Sequence, residues 1–277
     1  MNGSSRETYE AGQRRLSWGG FSMKPLRVVG VIPARYASQR LPAKPLLDLR
    51  GKTMVQRVYE QARKARRLHQ VIVATDDERI ASVVRSFGGE AVITPPEVKS
   101  GSDRVAAIAA RNDADIFVNI QGDEPLIAPT MIDQAAEILI DDTRAVVGTL
   151  AKRIETYGEL SNPGIVKLVV DKNSYALYFS RSIIPFIRDE ENSANWAATR
   201  TFYKHIGIYV FRRDFLLGFA KMPESNLEQS ERLEQLRILE NGFKIKVGFT
   251  EHDSIPIDTP KDAERVLEIL KNQENAN

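Results

Sequence analysis

The 277-residue sequence contains no cysteine. That excludes disulfides, thiolate metal sites and a cysteine nucleophile, and it fits a reducing, cytoplasmic setting. Long apolar runs are also missing. None approaches the roughly 20 residues that a membrane span requires, so no membrane insertion is expected. Nor is there an excess of one charge: 39 basic and 37 acidic side chains leave a formal net charge of +2. A polycation that would demand nucleic acid as an obligate partner is therefore not expected, although a local anion pocket remains open. The first 22 residues are polar and Gly/Ser-rich and lack the apolar core of a secretory signal. They read as a disordered arm or an upstream start, with Met23 standing just before the first apolar run. Glu7 and Glu10 argue against an organelle-targeting peptide.

What remains is ordinary for a folded domain, with 42% hydrophobic and 27% charged residues. From Arg27 onward, short apolar runs alternate with amphipathic stretches. Val28–Ile32, Val71–Ala74, Ala91–Ile93 and Ile116–Ile120 read as strands. Met54, Val55, Val58 and Ala62 recur at helical spacing, as do Ile80, Val83 and Val84, and a further helix is expected from Asp103 to Arg111. This βαβαβ rhythm predicts a doubly wound, mostly parallel α/β sheet with helices on both faces. After Ala145 the strands alternate more (Val146–Leu150, Val166–Val170, His205–Val210), which predicts antiparallel additions or a sheet extension. The polar stretch from Asp189 to Thr201 is expected to be a mobile loop. A helix from about Asn226 to Leu239, a strand from Lys244 to Phe249 and a last helix opened by Pro260 complete the pattern. No linker divides it, so residues 23–277 are expected to form one domain, with an extension around 150–215.

The first strand runs directly into a loop that carries Arg35, Ser38, Arg40 and Lys44 between Pro33, Pro42 and Pro45. In an open α/β sheet ligands sit beyond the carboxyl ends of the strands, where this loop must lie. Two guanidinium forks and an ammonium suit a triphosphate. The loop has neither the Walker nor the Rossmann glycine pattern. Three cations alone would serve equally as a solvated basic loop; the prolines that stiffen the loop favour a site.

The segment from Ala34 to Leu46, followed by Gly51-Lys52 before a helix, resembles the sugar-nucleotide cytidylyltransferases. Asn119–Pro125 and Tyr175–Arg181 narrow the resemblance to the 3-deoxy-manno-octulosonate (Kdo) cytidylyltransferase family, and Ser100–Arg104, His205–Tyr209, Leu233–Arg237 and Asp258–Pro260 extend it over residues 27–270. Gln39 and Ala43 depart from the commonest family wording, the latter where glycine is frequent. The resemblance implies transfer of CMP from CTP to the anomeric 2-hydroxyl of Kdo, releasing pyrophosphate, for lipopolysaccharide biosynthesis. It implies Arg35, Arg40, Lys44 and Asp123 as catalytic residues, and Mg²⁺ on Asp123 and Asp258. Nucleotide contacts are expected from Arg35, Ser38, Arg40, Lys44, Asp76, Ser100 and Ser102. By the same resemblance the sugar site would fall on Gln121, Arg181, His205, Tyr209 and Glu234, the extension around 150–215 would serve sugar binding and dimerisation, and a homodimer is implied.

Hard oxygen ligands are what Mg²⁺ takes. Read singly, however, Asp123 is also a turn residue, Asp258 a helix-start residue, and Asp76 and Ser100 helix caps. His205 read alone is a surface strand histidine, and His69, near the end of a helix, and His252, in a polar loop, are read as equally ordinary surface residues. No residue is singled out as a general base. The rival readings are a cytidylyltransferase for sialic acid or for the 8-amino analogue of Kdo, a glycosyltransferase using Asp76-Asp77, and a non-catalytic nucleotide-binding protein.

Overall fold

The computed structural model describes residues 25–37, 41–98, 100–253 and 255–275; the expected N-terminal arm, Ser38 and Arg40 lie outside the described residues. The first apolar run is strand β1 (Val28–Ala34), buried along nearly all its length. Helix α1 (Met54–Ala62) is capped by Thr53, whose hydroxyl accepts the Gln56 N–H at 3.3 Å, and it buries Met54, Val55, Val58 and Ala62. Then come β2 (Gln70–Thr75), α2 (Glu78–Ser86), β3 (Glu90–Ile93), α3 (Gly101–Ala109) and β4 (Ile116–Asn119). All four strands are parallel, with β1 flanked by β2 and β4 and with β3 outside β2. Chain order therefore reverses between β1 and β4. The loops leaving these two strands diverge and open a crevice at their carboxyl ends.

Alternation along β1 builds two core layers. Val28 and Ile32 face α1 and helix α4 (Pro129–Asp141), whereas Val29 and Val31 face α3. At Gly30 a Cβ would stand 2.7 Å from a Leu68 methyl, so the glycine lets that side chain close over the strand.

The second half adds β5 (Val147–Arg153), α5 (Tyr157–Ser161), β6 (Lys167–Val170), β7 (Ala176–Ser180), α6 (Trp196–Thr199) and β8 (Tyr203–Arg212). It ends with α7 (Arg213–Phe219), α8 (Asn226–Glu231), α9 (Gln235–Glu240), β9 (Ile245–Phe249) and α10 (Pro260–Asn275). The principal antiparallel strand is not at an edge. β8 stands inside the sheet, antiparallel to both β4 and β5, and a parallel β5–β9 pair lies beyond it. The β6–β7 hairpin, paired to the start of β8, is the extension that alternation predicts.

Three expectations need correction. The helix expected over Asn226–Leu239 is two helices, because Arg232 adopts a left-handed conformation (φ 55°) that ends α8. The Asp189–Thr201 stretch is not a bare loop: Trp196 is 6% exposed and packs with Ile154, Leu160 and Phe202. His205 lies within β8 rather than at its start, and it is half-buried, with its ring edge-on to that of Phe179, rather than on the surface. Among the described residues no helix is long and apolar enough to cross a membrane.

Candidate active site

Two strand ends and the C-terminal helix build the floor of the crevice. After β1, the chain reaches a short 3₁₀ turn, Lys44–Leu46, that Ala43 opens in a left-handed conformation (φ 56°). That geometry explains why glycine suits the position and why alanine is strained there. Gly122 follows β4, and a Cβ on it would come within 2.5 Å of the Pro33 carbonyl oxygen. Only glycine lets the β4 loop pass so close to β1, and this approach sets Asp123 beside Lys44. On the third side, α10 packs Ala263, Val266 and Leu270 onto Leu49 and Met54. Asp262 accepts hydrogen bonds from the N–H groups of Asp258 and Thr259 at 3.1 and 2.8 Å, fixing the start of the helix. The Ile257 N–H donates to the Asp123 carbonyl at 2.9 Å, so Asp258 is tied next to Asp123.

The result is a cavity of about 240 Å³ lined by Arg35, Lys44, Ser100, Arg104, Gln121, Asp123 and Asp258, among others. Lys44 Nζ donates to Asp123 Oδ2 at 2.7 Å and to Asp258 Oδ1 at 3.0 Å. Arg35 stands exposed at the rim.

The residues fit a magnesium ion of the kind that completes its shell with substrate. Two carboxylates already converge on one cationic nitrogen, and among the described residues no third carboxylate or histidine joins them. Mg²⁺ is ordinarily held by one or two carboxylates plus phosphate oxygens and water, rather than by an all-protein cage.

The expected nucleotide residues are organised differently from helix caps alone. Asp77, not Asp76, caps α2, accepting the Arg79 N–H at 2.9 Å. Asp76 instead takes the guanidinium of buried Arg104 at 2.9 Å, and Arg104 also donates to the Thr94 hydroxyl. Ser100 does cap α3, in a reciprocal box with Asp103. Its hydroxyl donates to Glu234 Oε1 and that of Ser102 to Glu234 Oε2, both at 2.9 Å. Glu234, expected on the sugar, is thus bound to two residues expected on the nucleotide. Burial raises its pKa against the opposing pull of the serine hydroxyls and Arg237.

The sugar-site candidates surround an irregularity in the sheet. Thr149 lies opposite Tyr209, but the next residue, Leu150, lies opposite Ile206, so β8 bulges between them. Side chains take up the freed carbonyls: Thr149 Oγ1 reaches Ile206 and Ile208 at 3.2 and 2.7 Å, and Gln121 Nε2 donates to Gly207 at 2.8 Å. His205 Nε2 lies 2.9 Å from the same Thr149 hydroxyl. The one hydroxyl proton serves one acceptor at a time; given to the Ile208 carbonyl, the shortest contact, it leaves Thr149 to accept from Nε2, the tautomer in which Nδ1 is an acceptor. Burial lowers the His205 pKa to about 3, so the ring is neutral at physiological pH. Tyr209, with its ring centroid 5.3 Å from that of His205, has its pKa pushed well up by burial and the Glu234 charge, and stays a neutral hydroxyl.

Arg181 is placed apart from this group. It lines a second recess with Pro163, Ser182, Phe186 and Trp196. Its guanidinium donates to the carbonyls of Glu231 (2.7 Å), Pro163 (3.1 Å) and Arg232 (3.5 Å), leaving further N–H groups for an anion. Beneath it, the fully buried Lys167 donates to the Arg181 carbonyl at 2.6 Å. Thr149 and Lys167 escaped the sequence reading; each is a lone polar residue inside an apolar strand run, which is the signal that would have found it. His69 and His252 have local partners, the Val28 N–H and the Thr130 hydroxyl.

This arrangement has close counterparts. The cytidylyltransferase family matches the chain over residues 29–245. The 3-deoxy-manno-octulosonate cytidylyltransferase of Geotalea uraniireducens (strain Rf4) is 52% identical over 250 residues, 89% of this chain and 100% of its own. The enzyme of the same name from Geobacter sulfurreducens is also 52% identical, with the same coverage of both chains. Among solved structures, CMP:2-keto-3-deoxy-manno-octonic acid synthetase complexed with CTP superposes with a TM-score of 0.83 at 42% identity, over 89% of this chain and 99% of that one. With half of its residues identical to those enzymes over 89% of its length, the chain belongs to the cytidylyltransferase family, among the 3-deoxy-manno-octulosonate cytidylyltransferases.

Proposed function

We propose that the protein transfers CMP from CTP to the anomeric 2-hydroxyl of Kdo, giving CMP-Kdo and pyrophosphate, with Mg²⁺ held by Asp123 and Asp258. The observation that carries this reading is the convergence of Lys44, Asp123 and Asp258 in one cleft at the β1–β4 crevice. In the reaction the 2-hydroxyl gives up its proton to solvent, its oxygen bonds to the α-phosphorus, the bond from that phosphorus to the oxygen bridging the β-phosphate breaks, and pyrophosphate departs with the bond's electron pair. Arg35 and Lys44 supply positive charge to the triphosphate and the leaving pyrophosphate; Arg40, from the same loop in sequence, would add to them. The β1 and β4 ends anchor the backbone that carries Arg35 and Asp123, so catalysis is positioning and electrostatics without a covalent intermediate. When bound, Mg²⁺ neutralises charge on phosphate oxygens and lowers the pKa of a coordinated hydroxyl.

Neutral His205 and Tyr209 offer polar groups to the sugar hydroxyls; Arg181, which lines the separate recess, keeps spare N–H groups of the kind that suit a sugar carboxylate. The protein would work in the cytoplasm as a homodimer, where CTP is available. Pyrophosphate release from CTP should depend on Kdo and on magnesium, with the 8-amino analogue and sialic acid as competing acceptors. A preference for either competitor, or release independent of any acceptor, would overturn the proposal.

A further inference from the structure

Lys44 stands where a metal ion would be expected to stand. Its ammonium bonds both aspartates at once, at 2.7 and 3.0 Å, and its side chain is only 13% exposed against 30% and 38% for the carboxylates. The backbone beneath it is fixed by the Ala43 turn and by buried Pro45. A flexible four-carbon stem, however, lets the ammonium itself swing without moving the chain. We infer that Lys44 is an exchangeable internal counter-cation: it bridges Asp123 and Asp258, offsetting one of their two charges, while the cleft holds no nucleotide, and moves to the phosphates when CTP arrives, releasing the two carboxylates to the metal. This rests on the reading of Asp123 and Asp258 as the metal pair.

The reasoning is electrostatic. An ammonium and a divalent cation cannot share the same two carboxylate oxygens at contact distance, because their repulsion there is uncompensated. Nucleotide brings several negative oxygens on which the ammonium can settle, and those same oxygens complete the metal's shell. The free protein should therefore bind metal poorly, and metal and nucleotide should enter together. A lone pair of carboxylates without the lysine would take metal ahead of nucleotide.

The test is Mn²⁺ binding to the nucleotide-free protein, measured by calorimetry and by the electron paramagnetic resonance of free Mn²⁺. Wild type should bind weakly, and Lys44→Gln about tenfold or more tightly, as expected when a neighbouring positive charge is removed. Arg35→Gln removes a charge from the rim of the same cleft that bonds neither aspartate, and should change affinity by less than about threefold. Adding Asp123→Asn to Lys44→Gln should erase the gain, locating the ion; thermal melting verifies that each variant is folded. Equal Mn²⁺ affinity in wild type and Lys44→Gln would overturn the exchange, as would an equal gain from Arg35→Gln. Failure of the underlying site looks different: Mn²⁺ would bind no variant, and CTP would not bring it to wild type in water-proton relaxation.

Discussion

Ser100 and Glu234, 134 residues apart in sequence, share a hydrogen bond of 2.9 Å. With the matching bond from Ser102, it fastens the start of α3, at the nucleotide cleft, to the start of α9, among the sugar-site candidates. The two halves of the site are therefore coupled through one carboxylate. Burial raises that carboxylate's pKa in the folded chain above its value in the unfolded one. An acid shifted in this direction contributes stability below its unfolded pKa and loses it as pH rises through the folded pKa. Glu234→Gln should therefore gain in stability relative to wild type as pH rises from the ordinary glutamate range, near 4.5, toward neutrality. Urea denaturation of both proteins across that range measures it; a flat difference or the opposite slope counts against the assignment.

Thr149 is fully buried, and its hydroxyl meets two carbonyls of the β8 bulge and the His205 ring. Valine matches its shape but offers no hydroxyl. Thr149→Val should cost about 1–3 kcal/mol, since it strands buried polar groups without partners. A neutral result in chemical denaturation would show that the bulge satisfies itself in another way.

Ala43→Gly should stabilise the protein by about 0.5–1 kcal/mol, because it removes the left-handed strain of an L-residue at a small cost in unfolded-state entropy. A rise in melting temperature checks this, and an unchanged or lower one refutes it.

Gly122→Ala should act in the other direction. The added methyl meets the Pro33 carbonyl oxygen, a backbone atom that cannot rotate aside. The β4 loop must then move and carry Asp123 with it. We expect kcat/KM to fall roughly tenfold or more, as small displacements of positioned groups do. Activity at the wild-type level would show that the close approach is not needed.

Asp123→Asn and Asp258→Asn should each cost a large factor in turnover, while the double variant costs far less than the product of the two. Raised magnesium should partly restore the single variants by mass action. Fully multiplying losses without rescue would exclude a shared ion.

Much of this molecule is legible in its sequence, because its first half obeys local rules. β1 to β4 are short apolar runs, their helices carry the 3.6-residue period, and Thr53, Asp77 and Ser100 are caps of the expected type. The cations after β1 are visible for the same reason: they are neighbours in the chain. What local pattern does not carry is pairing at long range. Nothing near Lys44 in sequence announces Asp258, 214 residues away, and nothing near Asp76 announces Arg104. The break at Arg232 was hidden because arginine is a good helix former, and only the fold imposes a left-handed turn on it. Trp196 was obscured by its polar flanks, although one buried indole suffices to tether the segment.

The position of β8 also governs how the protein comes into being. β4 is buried throughout, and one of its edges is covered only by residues 209–212, on the far side of β5, β6 and β7 in chain order. A chain growing from its N-terminus completes the four parallel strands and their helices long before that cover exists. Until then it carries a bare, apolar strand edge of the kind that recruits other chains. The edge is closed only when the strand bearing His205 and Tyr209 docks against β4.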